Sequence, residues 1–301
     1  MSRTRHHVTL CLLVLACQAE AATINLLILA GQSNMVGQAG ASPRIPGSVP
    51  EDSEVAYYYD VTNTAGDFAD DSGGAFGPLQ AWRFNDAVRR FGPEFSLGRE
   101  LVSEGFNPAL LKVAVGGSDI ARWQPGATDF TTLRQSIRDG VAELTASGDT
   151  VNLLGLVWLQ GESDVIDPRR ANAYADRLDT FLSGYRNQLN TDLPGVGFDT
   201  SPIVLVEPAD WRNGLNPGIA APPDIARVEQ ALMDFAAADP RASYLSTSDF
   251  VTFGDELIHF GAGDQLRLGE RIAGEVIALV VPEPATVSLA VLACLAVKRR
   301  P

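Results

Sequence analysis

Cysteine and histidine are scarce in this chain of 301 residues, and all three cysteines and two of the three histidines lie near its ends. These cysteines and histidines are Cys11, Cys17, Cys294, His6 and His7. If processing removes both ends, the remaining chain has no cysteine, which excludes disulfides, thiol catalysis and cysteine-based metal sites. It keeps one histidine, His259, which excludes a zinc site built from several histidines.

Basic residues are also few, because 23 lysines and arginines oppose 37 aspartates and glutamates, for a net charge of −14. Removal of the ends takes away five basic residues and two acidic residues, which leaves a net charge near −17. Such a surface repels nucleic acid and anionic membranes, so we predict no nucleic-acid partner. The length suits a single large domain of roughly 250 residues.

Residues 1–21 have the pattern of a secretory signal peptide. A basic start is followed by an apolar stretch from Val8 to Cys17, and Ala19-Glu20-Ala21 carries small residues at the two positions that signal peptidase reads. A buried N-terminal helix and a lipoprotein modified at Cys17 are the alternatives. We therefore expect the folded domain to span residues 22–280, with signal peptidase as a processing partner.

Residues 281–301 form a second candidate processing segment. Pro282-Glu283-Pro284 precedes a short apolar run from Ala285 to Val297, and the basic residues Lys298 to Arg300 follow. This order resembles the PEP-CTERM sorting signal of Gram-negative bacteria. The resemblance implies transient membrane contact, cleavage by an exosortase, and delivery to the cell surface, the outer envelope or the extracellular matrix. A plain C-terminal anchor is the alternative.

Short β-branched runs alternate with helical patterns between these ends, which indicates parallel βαβ units. Strands are predicted over 24–30, 110–115, 151–159, 202–207 and 242–245. Helices are predicted over 96–104, 131–145, 168–188, 223–238 and 262–279. Residues 40–92 are rich in Gly, Pro, Asp and Ser and fit this scheme badly, with one strand-like stretch from Val55 to Tyr59. They form either a lobe that lines the substrate cleft or an ordinary surface insertion.

Three polar motifs follow predicted strands: Gly31-Gln32-Ser33-Asn34-Met35, Gly116-Gly117-Ser118-Asp119 and Gln160-Gly161-Glu162-Ser163-Asp164. Ligands of an open parallel sheet bind beyond the carboxyl ends of its strands, so the three motifs are expected to converge on one site. Ser33 follows a glycine and opens a helix, a position that presents a nucleophile and directs backbone N–H groups at a developing anion. An isolated serine at this position usually only caps a helix.

A serine hydrolase also needs a base, and His259 is the candidate once the ends are removed. Two acids, Asp255 and Glu256, precede it by four and three residues. An acid beside the imidazole would fix its tautomer and stabilise the imidazolium. A buried or capping histidine before the last helix is the alternative for His259.

Together, these three motifs and the late acid–His259–Phe260 segment resemble the sialate O-acetylesterase-like branch of SGNH hydrolases, which includes carbohydrate esterase family six and its acetylxylan esterases. Gly92-Pro93-Glu94 before a helix matches a further segment of that branch. The resemblance implies that Ser33 is the nucleophile and His259 the general base. It also implies an oxyanion hole formed by the backbone N–H groups of Ser33 and Gly117 and the side chain of Gln160.

The family usually has Asp-x-x-His, whereas this chain has Glu256 at that spacing and Asp255 one residue earlier. We favour Glu256 as the triad acid on spacing, and Asp255 is the alternative. Glu162 and Asp164 are expected to support the site by hydrogen bonds, although paired carboxylates also suit glycosidase chemistry.

Three further residues are expected to support the site or line the substrate cleft: Gln32, Asn34 and Trp123. For Trp123, a platform on which a sugar stacks and an interface aromatic are equally compatible with the sequence.

We predict a three-layer α/β/α sandwich of the SGNH hydrolase fold, with about five parallel strands in a flavodoxin-like order. The predicted function is that of an exported serine esterase that removes acetyl groups from oligo- or polysaccharides through an acetyl-enzyme, with no metal or organic cofactor. A non-catalytic glycan-binding surface protein and a general carboxylesterase are the alternatives.

Overall fold

The computed structural model describes residues 21–38, 45–209, 224–253 and 258–281. In chain order the strands are β1 (Thr23–Gly31), β2 (Ala56–Asn63), β3 (Ala69–Asp71), β4 (Gly77–Pro78), β5 (Trp82–Arg83), β6 (Arg89–Arg90), β7 (Pro108–Gly116), β8 (Thr150–Leu159), β9 (Ile203–Val206), β10 (Ala242–Leu245), β11 (Thr252–Phe253) and β12 (His259–Phe260). The helices are α1 (Ser33–Val36), α2 (Glu94–Ser103), α3 (Thr128–Thr145), α4 (Pro168–Asn172), α5 (Tyr174–Asp192), α6 (Ile225–Ala238) and α7 (Ala262–Val280).

The five predicted strands form the centre of one sheet in the order β10-β9-β8-β1-β7, and neighbouring strands are parallel. Numbered along the chain, this is the flavodoxin-like order that the sequence predicts. The sheet continues beyond β7 with β2, which is also parallel, and then with β3 and β4, which run antiparallel to β2. Among the described residues, the sheet therefore has six parallel strands, where the sequence predicts about five.

The extra strands come from the segment 40–92, whose pattern fits no βαβ unit. Its longest strand, β2, pairs with β7 along its whole length, and the short strands β5 and β6 form a separate antiparallel pair. Asn63 at the end of β2 lies beside Gly116, and Thr64 N–H donates to the Gly116 carbonyl at 2.9 Å. Part of this segment thus extends the sheet, and the carboxyl end of β2 reaches the Gly116-Gly117 loop.

Two helical layers cover the sheet, because alternate strand residues face opposite sides. On β1, Leu26 and Ile28 belong to a core with α3, α5 and α6, whereas Leu27 and Leu29 belong to a core with α1, α2 and α7. This is the predicted three-layer sandwich. The predicted helix over 168–188 is divided into α4 and α5 at Ala173.

Within the part of the chain that the structure describes, no helix combines the length and the apolar character needed to span a bilayer. The proposed signal peptide apart from Ala21, and the C-terminal sorting segment apart from Val281, lie outside the described residues.

Candidate active site

The turn that carries Ser33 is fixed by close contact between β1 and β8. Gly31 pairs with Ala114 of β7 on one side and with Leu159 of β8 on the other. Its φ is 151°, and a Cβ at this position would lie 2.0 Å from the Leu159 carbonyl oxygen, so only glycine fits. The Gln32 N–H donates to the same carbonyl at 2.9 Å, and α1 then begins at Ser33. The sequence thus places a buried serine at the carboxyl edge of the sheet.

His259 is held next to this turn through the residue that follows Ser33. The Asn34 Nδ2 donates to the Ile258 carbonyl at 2.9 Å, and the Asn34 Oδ1 accepts from the Phe260 N–H at 2.9 Å. One amide side chain therefore binds the backbone on both sides of His259. β12, which contains His259, also pairs with β11. The segment that carries His259 is thus held to the turn that carries Ser33, although the two are more than two hundred residues apart in the sequence.

Asn34 is itself held by buried groups. Its Nδ2 donates to Glu162 Oε1 at 2.7 Å, and its backbone carbonyl accepts from Gln265 Nε2 at 3.0 Å. Glu162 Oε1 also accepts from the Ala209 N–H at 3.2 Å. Burial raises the pKa of Glu162, and the hydrogen bonds from Asn34 and Ala209 oppose that rise. Glu162 therefore supports the His259 segment through Asn34.

A second loop reaches the site from the end of β7. Gly117 has a φ of 73°, and a Cβ on it would lie 2.7 Å from Thr64 Oγ1. Among the described residues, neither the Ser33 N–H nor the Gly117 N–H has a hydrogen-bond acceptor. Two backbone donors beyond adjacent strands of a sheet have the character of an oxyanion hole.

Gln160 is fully buried, and its amide is engaged in this structure. Its Nε2 lies 3.1 Å from Gln32 Oε1, 3.0 Å from the Ser118 carbonyl and 2.6 Å from Asp164 Oδ2. Gln32 Oε1 also accepts from the Gly161 and Ser163 N–H groups, at 3.3 Å and 3.2 Å. Gln160 therefore links all three loops, and donation to an oxyanion would require the exchange of one of these bonds.

Asp164 joins this cluster to the Gly117 loop. Its Oδ2 accepts from the Ile120 N–H at 3.0 Å as well as from Gln160, and its Oδ1 has no partner among the described residues. Burial raises the pKa of Asp164 to about 6, with hydrogen bonds from Gln160 and Ile120 acting in the opposite direction. Asp164 and Glu162 thus hold loops by hydrogen bonds, the supporting role that the sequence analysis favours over glycosidase chemistry.

Trp123 does not line the cleft, which corrects one of the two interpretations open from the sequence. Its side chain is fully buried against Trp158 and Phe181, and the indole N–H donates to Ser118 Oγ at 3.0 Å. A sugar cannot stack on a ring with no exposed surface. Trp123 instead anchors the Gly117-Ser118 loop to the core. The two candidate triad acids, Asp255 and Glu256, lie outside the described residues, so the choice between them stays a prediction.

Residues 23–278 match the protein family described as carbohydrate esterase, sialic acid-specific acetylesterase. The chain belongs to this carbohydrate esterase family. It is therefore an ester hydrolase, with the mixed α/β fold that the sequence predicts. No curated protein sequence matches the esterase.

Solved structures share its fold at low sequence identity. A protein from Arabidopsis thaliana is 20% identical with a TM-score of 0.60, and the match covers 84% of the esterase and 98% of that chain. NanS is 14% identical with a TM-score of 0.62, covering 86% and 98%. A carbohydrate acetylesterase from Xanthomonas citri is 16% identical with a TM-score of 0.52, covering 86% and 56%.

Sequence reasoning missed two contributors to the site of this esterase. Gln265 lies in α7 and holds the Asn34 carbonyl, and Tyr174 Oη donates to the Gln160 carbonyl at 2.9 Å. No motif surrounds either residue, and their contacts depend on packing between distant elements. Within the described ranges, no group of three or more His, Cys, Asp or Glu side chains is arranged to hold a metal ion.

Proposed function

We propose that this carbohydrate esterase is an exported serine enzyme that removes O-acetyl groups from glycans through an acetyl-enzyme intermediate. The observation that carries the proposal is a pair of hydrogen bonds, in which Asn34 donates to the Ile258 carbonyl and accepts from the Phe260 N–H. These bonds hold the backbone on both sides of His259 to the residue that follows Ser33, which supports the pairing of Ser33 with His259. A nucleophile and its base must lie within hydrogen-bond reach for acyl transfer.

In the first step, Ser33 Oγ attacks the carbonyl carbon of the acetyl ester while His259 accepts the hydroxyl proton. The carbonyl oxygen becomes an oxyanion and is stabilised by the N–H groups of Ser33 and Gly117, with Gln160 as a third donor if its amide exchanges a bond. The C–O bond to the sugar then breaks, and His259 returns the proton to the departing sugar oxygen. Water then attacks the acetyl-enzyme, and His259 accepts the proton of the water and returns it to Ser33 Oγ, which releases acetate.

The acid behind His259 is proposed to be Glu256, with Asp255 as the alternative. Either carboxylate would hold the imidazole in the tautomer that presents its other nitrogen to Ser33. Both residues lie within three positions of Ile258 in the sequence, and Asn34 holds the Ile258 carbonyl.

An acetylated saccharide is the proposed substrate because the family is described by acetylesterase activity on sialic acid, and the Xanthomonas citri relative is described as a carbohydrate acetylesterase. The proposed location is outside the inner membrane. Support comes from the signal-peptide pattern of residues 1–21 and the Pro-Glu-Pro segment at 282–284, with signal peptidase and an exosortase as processing partners.

The test is a screen of purified residues 22–280 on acetylated xylan, acetylated pectin fragments and acetylated sialic acids, with acetate release as the readout. We expect release from at least one glycan, loss of release in Ser33→Ala, and retained release in the matched control Ser103→Ala, whose hydroxyl bonds only within α2. Glycan binding without release by the wild type would instead favour a non-catalytic binding protein. Turnover of simple aryl acetates without any glycan would favour a general carboxylesterase.

A further inference from the structure

A fully buried ion pair lies behind the nucleophile turn, on the face of the sheet that carries α1 and α2. Lys112 Nζ donates to Glu94 Oε2 at 2.9 Å, and neither side chain has any exposed surface. Lys112 occupies the middle of β7, between Leu110 and Ala114, which face the same apolar core. The strand pattern therefore predicts an apolar residue at the position that Lys112 occupies.

The pair is connected directly to the helix that begins with Ser33. Lys112 Nζ donates to the carbonyl of Val36, the last residue of α1, at 3.2 Å. The other oxygen of Glu94, Oε1, accepts from the Gly92 N–H at 2.9 Å. One helical turn separates Val36 from Ser33, so a displacement of Val36 is transmitted to the nucleophile.

The two segments that the pair joins are in close contact. The residue after α1, Gly37, packs so tightly on the chain at Phe91 and Gly92 that a Cβ on it would lie 2.2 Å from their backbone atoms. A Cβ on Gly92 would in turn lie 3.0 Å from the Met35 carbonyl oxygen. Lys112 and Glu94 thus each bind one side of this contact and hold the two segments together.

Stability alone does not account for the pair. Burial lowers the pKa of Lys112, and the nearby Glu94 carboxylate only opposes that effect. Replacement of a buried ion pair by apolar residues of similar size is often neutral or stabilising, because the charges are costly to remove from water. The role that remains is to fix the relative position of the two segments, because a charged pair with defined hydrogen bonds allows few alternative geometries.

We propose that Lys112 and Glu94 are positioning residues that hold α1, and with it Ser33, in line with His259 and the Gly117 N–H. Neither side chain has surface through which to touch substrate, so the pair acts only through the helix. The inference rests on the proposed role of Ser33 as the nucleophile. It predicts that loss of the pair lowers kcat, while substrate binding and the fold persist.

The experiment compares wild type, Ser33→Ala, the double variant Glu94→Gln/Lys112→Met, and the control double variant Arg134→Met/Asp192→Asn. The control removes an ion pair of 2.6 Å between α3 and α5 on the opposite face of the sheet. Thermal unfolding, kcat and KM on p-nitrophenyl acetate, and the rate of labelling by a fluorophosphonate are measured for each.

For Glu94→Gln/Lys112→Met we expect a fall of about 10- to 100-fold in kcat, in line with a misplacement of the nucleophile of up to about 1 Å. KM should stay within about twofold because the lost interaction does not involve substrate. Labelling should slow in parallel, and the control variant should keep wild-type kcat. A folded double variant with wild-type kcat and labelling would overturn the inference.

The outcomes separate this inference from the function on which it rests. If Ser33→Ala keeps wild-type turnover, the proposed function fails. If Ser33→Ala is inactive and Glu94→Gln/Lys112→Met is fully active, only the positioning role fails. Should the double variant not fold, Glu94→Gln alone is measured, since it keeps the acceptor for Gly92 and weakens only the hold on Lys112. An unchanged kcat in that folded variant overturns the inference equally.

Discussion

Asp164→Asn tests the charge that lies buried beside Gln160. Asparagine keeps one side-chain oxygen for the Ile120 N–H and the Gln160 amide, and it removes only the ionisable group. The pKa of Asp164 is raised from 3.8 to about 6, chiefly by burial of a side chain with no exposed surface. A shift of about two units corresponds to about 3 kcal/mol.

The sign follows from proton binding. Because the folded state holds the Asp164 proton more tightly than the unfolded state, the associated stability is fully present below pH 3.8 and is lost as the pH rises to about 6. Above that pH the wild type bears the cost of a buried charge, and Asp164→Asn does not. The free energy of unfolding of the variant, relative to wild type, should therefore rise by more than about 2 kcal/mol between about pH 4 and about pH 7.

Urea unfolding of both proteins across this pH range measures the difference. Any constant cost of the new amide cancels, because only the change with pH is compared. Asp86→Asn is the matched control, since its side chain is fully exposed, and its difference from wild type should stay nearly flat. A flat difference for Asp164→Asn, or one that falls with pH, would refute the reasoning.

Four further outcomes are expected. Asn34→Ala should lower kcat by about 10²-fold, because the His259 segment loses the two hydrogen bonds that Asn34 makes to it; wild-type kcat in a folded variant would contradict this. His259→Ala should remove the acidic limb of the pH–rate profile of kcat/KM, and a retained limb would mean that the base is another group. Steady-state kinetics of Glu256→Gln and Asp255→Asn should give unequal losses, the larger at Glu256 and up to about 10⁴-fold in kcat; equal small losses would indicate a dyad. Mass spectrometry of the protein from its host should show cleavage near residues 282–284, and an intact C-terminus on most molecules would indicate an anchored protein.

The sheet order and the convergence of the three motifs could be predicted because both follow from local patterns. β-branched runs mark the strands, and parallel strands end at the same edge of a sheet. The position of β2 could not be predicted, because its pairing with β7 joins segments about fifty residues apart and its own run of Ala, Tyr and Asp carries no sign of that partner.

The contacts that support the site could not be predicted from the sequence, for a similar reason. Asn34 sits in a recognisable motif, but its hydrogen bond to the Phe260 N–H spans 226 residues. Trp123 is ambiguous in sequence because an aromatic residue in a polar loop serves equally well as a platform or as an anchor. Only packing against Trp158 decides between the two.

The buried charges around Ser33 limit what can stabilise its transition state. Negative charge on Glu162 or Asp164 would favour the imidazolium proposed for His259 and would oppose an oxyanion at the same edge of the sheet. Lys112 offers little compensation, because its charge is paired with Glu94. Stabilisation of the oxyanion must therefore come from donors within hydrogen-bond distance, of which the Ser33 and Gly117 N–H groups have no acceptor among the described residues. Loss of one such donor typically costs about 10²- to 10³-fold in kcat. Changes to the buried carboxyls should instead act through stability or through the geometry of the loops.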